Sequence, residues 1–141
     1  LLLYAPRAAS VRTGRLGELG IRRGTYVYVG SAFGPGGVLA RVRHHLRVSS
    51  APRWHIDYLR PAVRVREVWY SHDPVRREHQ WARAIAAQRR ASIPLAGFGA
   101  SDCNCEAHLF FFRAAPSLRA YRRRIRRDNP EHHSIEYLCI V

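Results

Sequence analysis

The segment GTYVYVGSAFGPGGVLARVRHHL, residues 24–46, decides how this chain folds. In an extended chain Tyr26 and Tyr28 share one face, with valines on the other, which is typical of a strand. The glycine-rich stretch 34–37 predicts a turn. Apolar residues then recur at helical spacing over residues 38–47, as Val38, Leu39, Val42 and Leu46. The segment therefore predicts a strand, a turn and a helix in close succession.

Three side chains of this segment suit chemistry on a phosphodiester. Tyr28 ends the predicted strand, and Arg41 and His45 lie four residues apart on one face of the predicted helix. A guanidinium grips phosphate at two points, while a phenol and an imidazole can manage the proton of an attacking water. We expect Arg41 to favour the phenolate form of Tyr28. The alternatives are a packed tyrosine and a solvated arginine, and Tyr26 could share the work of Tyr28. His44 lies on a different face of the predicted helix and could be confused with His45.

Charge indicates the class of partner. The chain has 141 residues, with 24 basic against 10 acidic residues, a net charge of +14 and 47% hydrophobic residues. One folded domain with a single core is expected. Such a positive surface attracts polyanions, so nucleic acid is the expected partner, DNA first and RNA not excluded. A membrane surface is not expected as a partner, because the basic residues are spread over several predicted elements.

Cysteine usage gives two further expectations. Three cysteines are too few for a disulfide framework, and an odd count fits a reducing cytoplasm, where we expect the protein to reside. Cys103, Cys105 and His108 have a spacing compact enough for zinc, with Cys139, His132, His133 or another residue as fourth ligand; ordinary packing is favoured over zinc. The chain contains no Met, so we expect its first residue not to be the natural start.

The remaining elements follow from periodicity and from proline and glycine. We predict strands at 1–5, 63–70 and 108–113 and a weaker one at 15–19, a short helix or turn at 54–59, helices at 74–90 and from 116 onward, and a loop at 94–104. The last helix would turn Leu118, Tyr121 and Ile125 inward and most of its arginines outward. Residues 130–141 are expected to form a C-terminal tail.

In this order the motifs resemble those of the GIY-YIG nuclease superfamily, in particular its Uri-type branch, which occurs as stand-alone proteins or fused to a DNA glycosylase. The resemblance covers roughly residues 1–113 and rests on five pieces: YVGSA at 28–32, Arg41 with His45, RWHIDYL at 53–59, Glu78, and GFGASDC at 97–103 continuing to HLF at 108–110. The family's first half-motif, Gly-Ile-Tyr or a variant, would precede the first strand and is missing here. We expect that this half-motif has been trimmed away; the alternative is an incomplete site.

The resemblance implies a small α/β domain of α+β type over residues 1–129, with a mainly antiparallel sheet flanked by helices. It implies a Mg²⁺- or Mn²⁺-dependent DNA endonuclease, with a structure-specific role in DNA repair as one expectation. Tyr28 would activate water, Arg41 would stabilise charge, His45 would assist proton transfer and Glu78 would hold the metal. We expect nucleic-acid contacts from Arg43, Arg47, Arg53, His55, Arg122, Arg123 and Arg126.

Two other functions remain open. The first is a nucleic-acid-binding module that keeps the scaffold and its charge without cleavage. The second is a zinc-stabilised interaction domain. Two residues of the RWHIDYL motif, His55 and Asp57, could touch DNA or support Arg41, but a role in holding the fold together is favoured for them.

Overall fold

An antiparallel sheet in the order β6-β4-β1-β5-β7 organises the protein, whose computed structural model describes residues 1–141. A separate hairpin pairs β2 with β3, which completes an α+β fold. The strands are β1 Leu2–Ala5, β2 Ala9–Arg12, β3 Glu18–Ile21, β4 Gly24–Tyr28, β5 Arg64–Tyr70, β6 Leu109–Phe112 and β7 Glu136–Cys139. The helices are α1 Gly37–Leu46, α2 His55–Leu59, α3 Glu78–Ala86 and α4 Leu118–Asp128, with short 3-10 turns at Gly14–Leu16 and Arg60–Ala62.

Strand β4 lies inside the sheet and sets its two faces. It pairs with β1 on one side and with β6 on the other, where Tyr28 lies opposite Leu109. Tyr26 and Tyr28 belong to the apolar layer that also contains Ile56 of α2 and is contacted by Val42 of α1. The alternate residues of β4 and β6 belong to a second layer, closed by α3 and α4. The predicted alternation is thus confirmed, and it places α1 and α4 on opposite faces of the sheet.

Helix α1 does not bury the stripe that its spacing predicts. Leu39 is 59% and Leu46 38% exposed, and His45 is the one fully buried residue of the helix. Only part of the helix covers the sheet, because its first turn follows the glycine-rich loop beside a cleft. The buried line therefore runs through Val42 and His45, and a polar residue occupies a position that hydrophobicity alone would not select.

Helix α3 begins at Glu78, four residues after the predicted start at Pro74. The carboxylate of Asp73 accepts hydrogen bonds from the backbone N–H groups of Val75 at 2.8 Å and His133 at 2.9 Å. Burial alone would raise the pKa of Asp73, but these bonds and the Arg77 guanidinium lower it to about 2. Such local side-chain bonds compete with helix formation. Glu78 consequently lies in the first turn of α3.

Two other segments differ from the sequence-based expectation. The weak strand predicted at 15–19 is a 3-10 turn followed by β3, which pairs with β2, a strand that was not predicted. The segment 130–141, expected as a tail, adds β7 to the edge of the sheet beside β5 and buries Ile135. Arg122 of α4 donates two hydrogen bonds to the Ile135 carbonyl, one of them 2.9 Å long, so α4 anchors this segment.

Candidate active site

A cleft opens where β4 ends, between α1 and the first turn of α3. Tyr28, Arg41, His45 and Glu78, which the sequence placed in one site, all line it. A second, polar depression of about 380 Å³ shares Tyr28, Ser31, Arg41 and Glu78 with the first. It is bordered further by Gly34, Arg53, Trp54, His55, Arg76, Gly99, Ser101 and Asp102. The two depressions form one concave surface around the same four side chains.

Tyr28 is almost completely buried beside Arg41. A methyl group built on Gly30 would lie 3.3 Å from Tyr28 Cε1 and 3.7 Å from Arg41 Nη2, so both side chains border the space that the glycine leaves free. Burial raises the pKa of Tyr28 to about 12, against the lowering effect of Arg41. Arg41 therefore acts in the expected direction, but burial outweighs it. At neutral pH the free protein holds Tyr28 as a phenol.

Arg41 is held in place by an aromatic ring. Its guanidinium carbon lies 4.2 Å from the ring centroid of Trp54, within the range of a cation–π interaction. The Nε atom of Arg41 is buried without a hydrogen-bond partner in the protein. Stacking restrains the guanidinium beside Tyr28 at the cleft, where its N–H groups can reach a phosphate.

His45 is a neutral, buried imidazole. Its side chain is 2% exposed, and its ring centroid lies 5.8 Å from that of Tyr28 in an edge-on arrangement. Burial, followed by the charges of Arg41 and His44, lowers the pKa of His45 to about 3. Neither ring nitrogen has a hydrogen-bond partner in the protein. His45 can therefore exchange a hydrogen bond with a group in the cleft, but it is a weak base.

Asp57 supports the cleft from behind, and the structure agrees with the structural role favoured for it. It is 2% exposed, and its carboxylate accepts hydrogen bonds from the backbone N–H groups of Arg53 at 2.9 Å and Trp54 at 3.1 Å. His44 Nε2 lies 3.0 Å from its other oxygen. Burial would raise the pKa of Asp57, but these contacts hold it below its usual range. Asp57 thereby fixes the turn that presents Trp54 to Arg41.

His55 joins the RWHIDYL segment to the loop before β6. Its Nδ1 accepts a 2.8 Å hydrogen bond from the Gly99 N–H, which makes this nitrogen the acceptor of the ring. Burial lowers the pKa of His55. The half-buried ring borders the polar depression, so His55 both braces the fold and faces the cleft.

Glu78 offers a carboxylate to the cleft. Its side chain is 17% exposed, and its Oε1 lies 3.2 Å from Nδ1 of the buried His108, although the N–H direction falls short of a regular hydrogen bond. A partly shielded carboxylate is a hard oxygen donor of the kind that Mg²⁺ prefers, and Ser31 and Ser101 border the same depression. Glu78 therefore suits a magnesium ion whose other ligands are phosphate oxygens and water.

The predicted nucleic-acid-binding arginines fall into two groups on opposite faces of the sheet. Arg43 and Arg47 are exposed on and just after α1, and exposed Arg53 borders the cleft. Arg123 and Arg126 lie in a basic groove along α4, while Arg122 is engaged with the Ile135 carbonyl. The cleft group adjoins the candidate active site. A nucleic acid seated in the cleft would not reach the α4 group without passing around the sheet.

Several contacts and positions around the cleft were not predicted from the sequence. Trp54 stacks on Arg41, Arg76 and Ser101 border the cleft, and His108 contacts Glu78. Trp54 belongs to the RWHIDYL motif, but nothing in that motif indicates its contact with Arg41. Arg76 gave no signal, since nothing local distinguishes it from the other arginines of the chain.

The cysteine-containing loop reaches α3. His79, Cys103, Cys105 and His108 place one ligand atom each within 4.8 Å of one another. The fourth member is therefore His79 and none of the three residues named from the sequence. Of those, Cys139 lies exposed on β7, and His132 accepts a 2.7 Å hydrogen bond from Trp81. Burial, followed by contact with Cys103, raises the pKa of Cys105, which argues against a nucleophilic thiol.

No helix has the length and apolar character needed to cross a membrane.

Comparisons with known proteins identify a family but no activity. No curated protein and no solved structure matches the chain. A family profile described as "Domain of unknown function DUF123" matches residues 1–129, which include every element from β1 through α4. The chain therefore belongs to the DUF123 family.

Proposed function

We propose that this protein is a Mg²⁺-dependent endonuclease of GIY-YIG type that hydrolyses phosphodiester bonds in DNA. The observation on which the proposal depends is the meeting of Tyr28, Arg41 and Glu78 around one cleft, although they come from a strand and two different helices. A phenol, a guanidinium and a carboxylate are the groups that water activation, charge stabilisation and metal binding require. The net charge of +14 favours a polyanionic substrate.

Glu78 would hold the metal. When bound there, Mg²⁺ would neutralise charge on the scissile phosphate and help to orient the water or leaving oxygen. The contact with His108 Nδ1 restrains one carboxylate oxygen, Oε1. The second oxygen is then the one available to a metal in the cleft. Phosphate oxygens and water would complete the coordination, as is usual for Mg²⁺.

Arg41 would stabilise the charge that develops at phosphorus, with its guanidinium plane set by Trp54. Tyr28 would bind the attacking water through its hydroxyl. Because its pKa is about 12 in the free protein, deprotonation of Tyr28 needs the additional positive charge of the loaded site. Neutral His45, with two unpartnered ring nitrogens, would accept or donate the neighbouring hydrogen bond. In this scheme Arg41 stays charged and His45 stays neutral, and only Tyr28 would leave the protonation state that the free protein favours.

The second candidate is a nucleic-acid-binding module without cleavage. One specific observation favours it: both groups that would handle the proton, Tyr28 and His45, have pKa values far from neutrality. General acid–base catalysis is most efficient when the pKa lies near the working pH. In this case the cleft would bind a phosphate through Arg41 without activating water.

A cleavage assay separates the two candidates. Branched, flapped, nicked and plain duplex DNA would be incubated with the protein in Mg²⁺ or in EDTA. The test variants are Glu78→Gln, which weakens metal binding at constant size, and Arg41→Ala, which removes the charge. Matched controls are Glu18→Gln in the β2–β3 hairpin and Arg7→Ala, two exposed positions outside the cleft.

The nuclease proposal expects Mg²⁺-dependent cuts by the parent and both controls. Arg41→Ala should lose about 100- to 1,000-fold in rate, in line with the removal of one oxyanion donor. Glu78→Gln should lose cleavage while it still binds DNA. Cleavage at the parent rate by both cleft variants would refute the assignment. DNA binding without cleavage in Mg²⁺ or Mn²⁺ would favour the binding module.

A further inference from the structure

The loop between α3 and β6 brings two cysteines and a histidine against the first turn of α3. His79, Cys103, Cys105 and His108 place their ligand atoms within 4.8 Å of one another, and Cys103 Sγ lies 3.5 Å from His108 Nε2. In a tetrahedral zinc site, with Zn–S about 2.3 Å and Zn–N about 2.0–2.1 Å, sulfur and nitrogen are separated by roughly 3.6 Å. The observed spacing is therefore close to that of a formed site.

We propose that His79, Cys103, Cys105 and His108 bind one structural Zn²⁺. Two thiolates and two imidazoles are the donor set that selects zinc over the hard cations Mg²⁺ and Ca²⁺. Four protein ligands close the tetrahedron and leave no position for substrate, so the site is structural. This proposal does not depend on the proposed nuclease activity.

The four side chains also have the accessibility that a metal site needs. His79, Cys103 and Cys105 line an open surface depression, which gives an ion a path of entry. His108 forms the closed end, since its side chain is 1% exposed. Its Nε2 faces the Cys103 sulfur and its Nδ1 faces Glu78 Oε1. A ligating histidine whose other nitrogen faces a carboxylate is the usual outer shell of a protein zinc site.

The metal would tie together two parts of the chain that both border the cleft. His79 directly follows Glu78 in the first turn of α3. Cys103 and Cys105 belong to a loop without helix or strand that also contains Gly99. Gly99 lies against the Tyr28 ring, since a Cβ added to it would be 3.1 Å from Tyr28 Cε2. Zinc would therefore restrain Glu78 from one side and the wall of the cleft from the other. In this role His79 and His108 are positioning residues for the cleft.

Metal analysis of the purified protein tests the proposal. The full chain would be purified under reducing conditions without chelators, and its zinc content measured by mass spectrometry of the metal. The test variants are His79→Ala and Cys105→Ser, and the matched controls are His72→Ala and Cys139→Ser, at exposed positions outside the cluster. Because His79 is exposed, its replacement should leave the apolar core intact.

We expect about one zinc per chain in the parent and in both controls, and its loss from both test variants. Removal of zinc by a chelator should lower the Tm of the parent and leave that of His79→Ala unchanged. A Co²⁺-loaded parent should show the absorption bands of tetrahedral thiolate coordination, which decides the matter even where a variant fails to fold. A parent without zinc or these bands, or zinc retained in both test variants, would overturn the proposal. Cleavage activity enters none of these measurements, so failure of the nuclease proposal would leave them unaffected.

Discussion

Trp54 provides the sharpest test of how the cleft presents its arginine. Replacement by leucine keeps an apolar side chain but removes the ring on which the Arg41 guanidinium lies at 4.2 Å. Cation–π contacts are worth about 0.5–1 kcal/mol at exposed sites and about 2 kcal/mol when desolvated. Trp54 is 41% exposed, so an intermediate value of about 1–1.5 kcal/mol applies. This corresponds to a loss of about 5- to 13-fold in the quantity that depends on Arg41.

The assay is single-turnover cleavage of the preferred DNA in Mg²⁺, with the DNA dissociation constant measured in parallel. Trp54→Leu should show the full loss, and Trp54→Phe, which keeps a smaller ring, a smaller one. In the Arg41→Ala background Trp54→Leu should cost nothing further, since the partner of the ring is already gone. The Tm of Trp54→Leu and that of Arg41→Ala should change little, because neither Trp54 nor Arg41 belongs to the buried core.

Two results would refute this reasoning. Trp54→Leu with the parent's rate and affinity would mean that Arg41 needs no ring to hold it. An equal loss in the Arg41→Ala background would mean that Trp54 acts on the substrate directly, for example by stacking on a base, and not through Arg41.

Four other predictions concern stability and binding. The folded-state pKa of Asp73 is about 2 against a usual 3.8, so its contribution to stability is complete above about pH 4 and is lost as the pH falls toward 2. In urea titrations at pH 6, Asp73→Asn should be about 1 kcal/mol less stable than the parent, after allowance for screening. Between pH 4 and 2 the stability of this variant should fall less than that of the parent. Gly99 has φ +72°, and an added Cβ would lie 3.1 Å from both His108 Cβ and Tyr28 Cε2, so Gly99→Ala should lower the Tm by several degrees, whereas Gly20→Ala, which meets nothing within 4 Å, should not. His45→Leu removes two unpartnered buried nitrogens, so thermal melts should give an unchanged or higher Tm while cleavage falls; a marked loss of Tm would contradict this. The logarithm of the DNA affinity should fall linearly with the logarithm of the salt concentration, with a slope near −0.9 per neutralised phosphate. An affinity that does not depend on salt would remove the electrostatic argument.

Local pattern was sufficient for the strands and helices that bury a regular face. The alternation around Tyr28 predicted β4, and the spacing of Tyr121 and Ile125 predicted the buried side of α4. Strand β7 was not predicted, because it is stabilised by pairing with β5, far away in sequence, and its own four residues are all exposed. Helix α3 was predicted too long because the carboxylate of Asp73 binds the backbone N–H of nearby Val75 and that of His133, which is distant in sequence.

The candidate site, like the fold, was predicted only in part. The resemblance to a known family picked out Tyr28, Arg41 and Glu78, which the structure places around one cleft. It did not indicate the burial that raises the pKa of Tyr28, because that property depends on residues from both flanking strands and α2. Nor did it indicate His79 as the fourth member of the cysteine cluster, since His79 lies on α3, outside the loop that holds the two cysteines.

The distribution of unpartnered polar atoms links the stability of the fold to the cleft. Seven buried side-chain nitrogen or oxygen atoms have no hydrogen-bond partner in the protein, and four of them belong to Arg41, His45 and His108. Each such atom costs about 1–3 kcal/mol when it is left without a partner, so a fold selected only for stability would not gather them in one place. All three residues border the cleft or contact Glu78, which does. A phosphate beside Arg41 and His45, and a metal that fixes the ring of His108, would lower this cost, and binding would then be favoured by the same groups that make the free protein less stable.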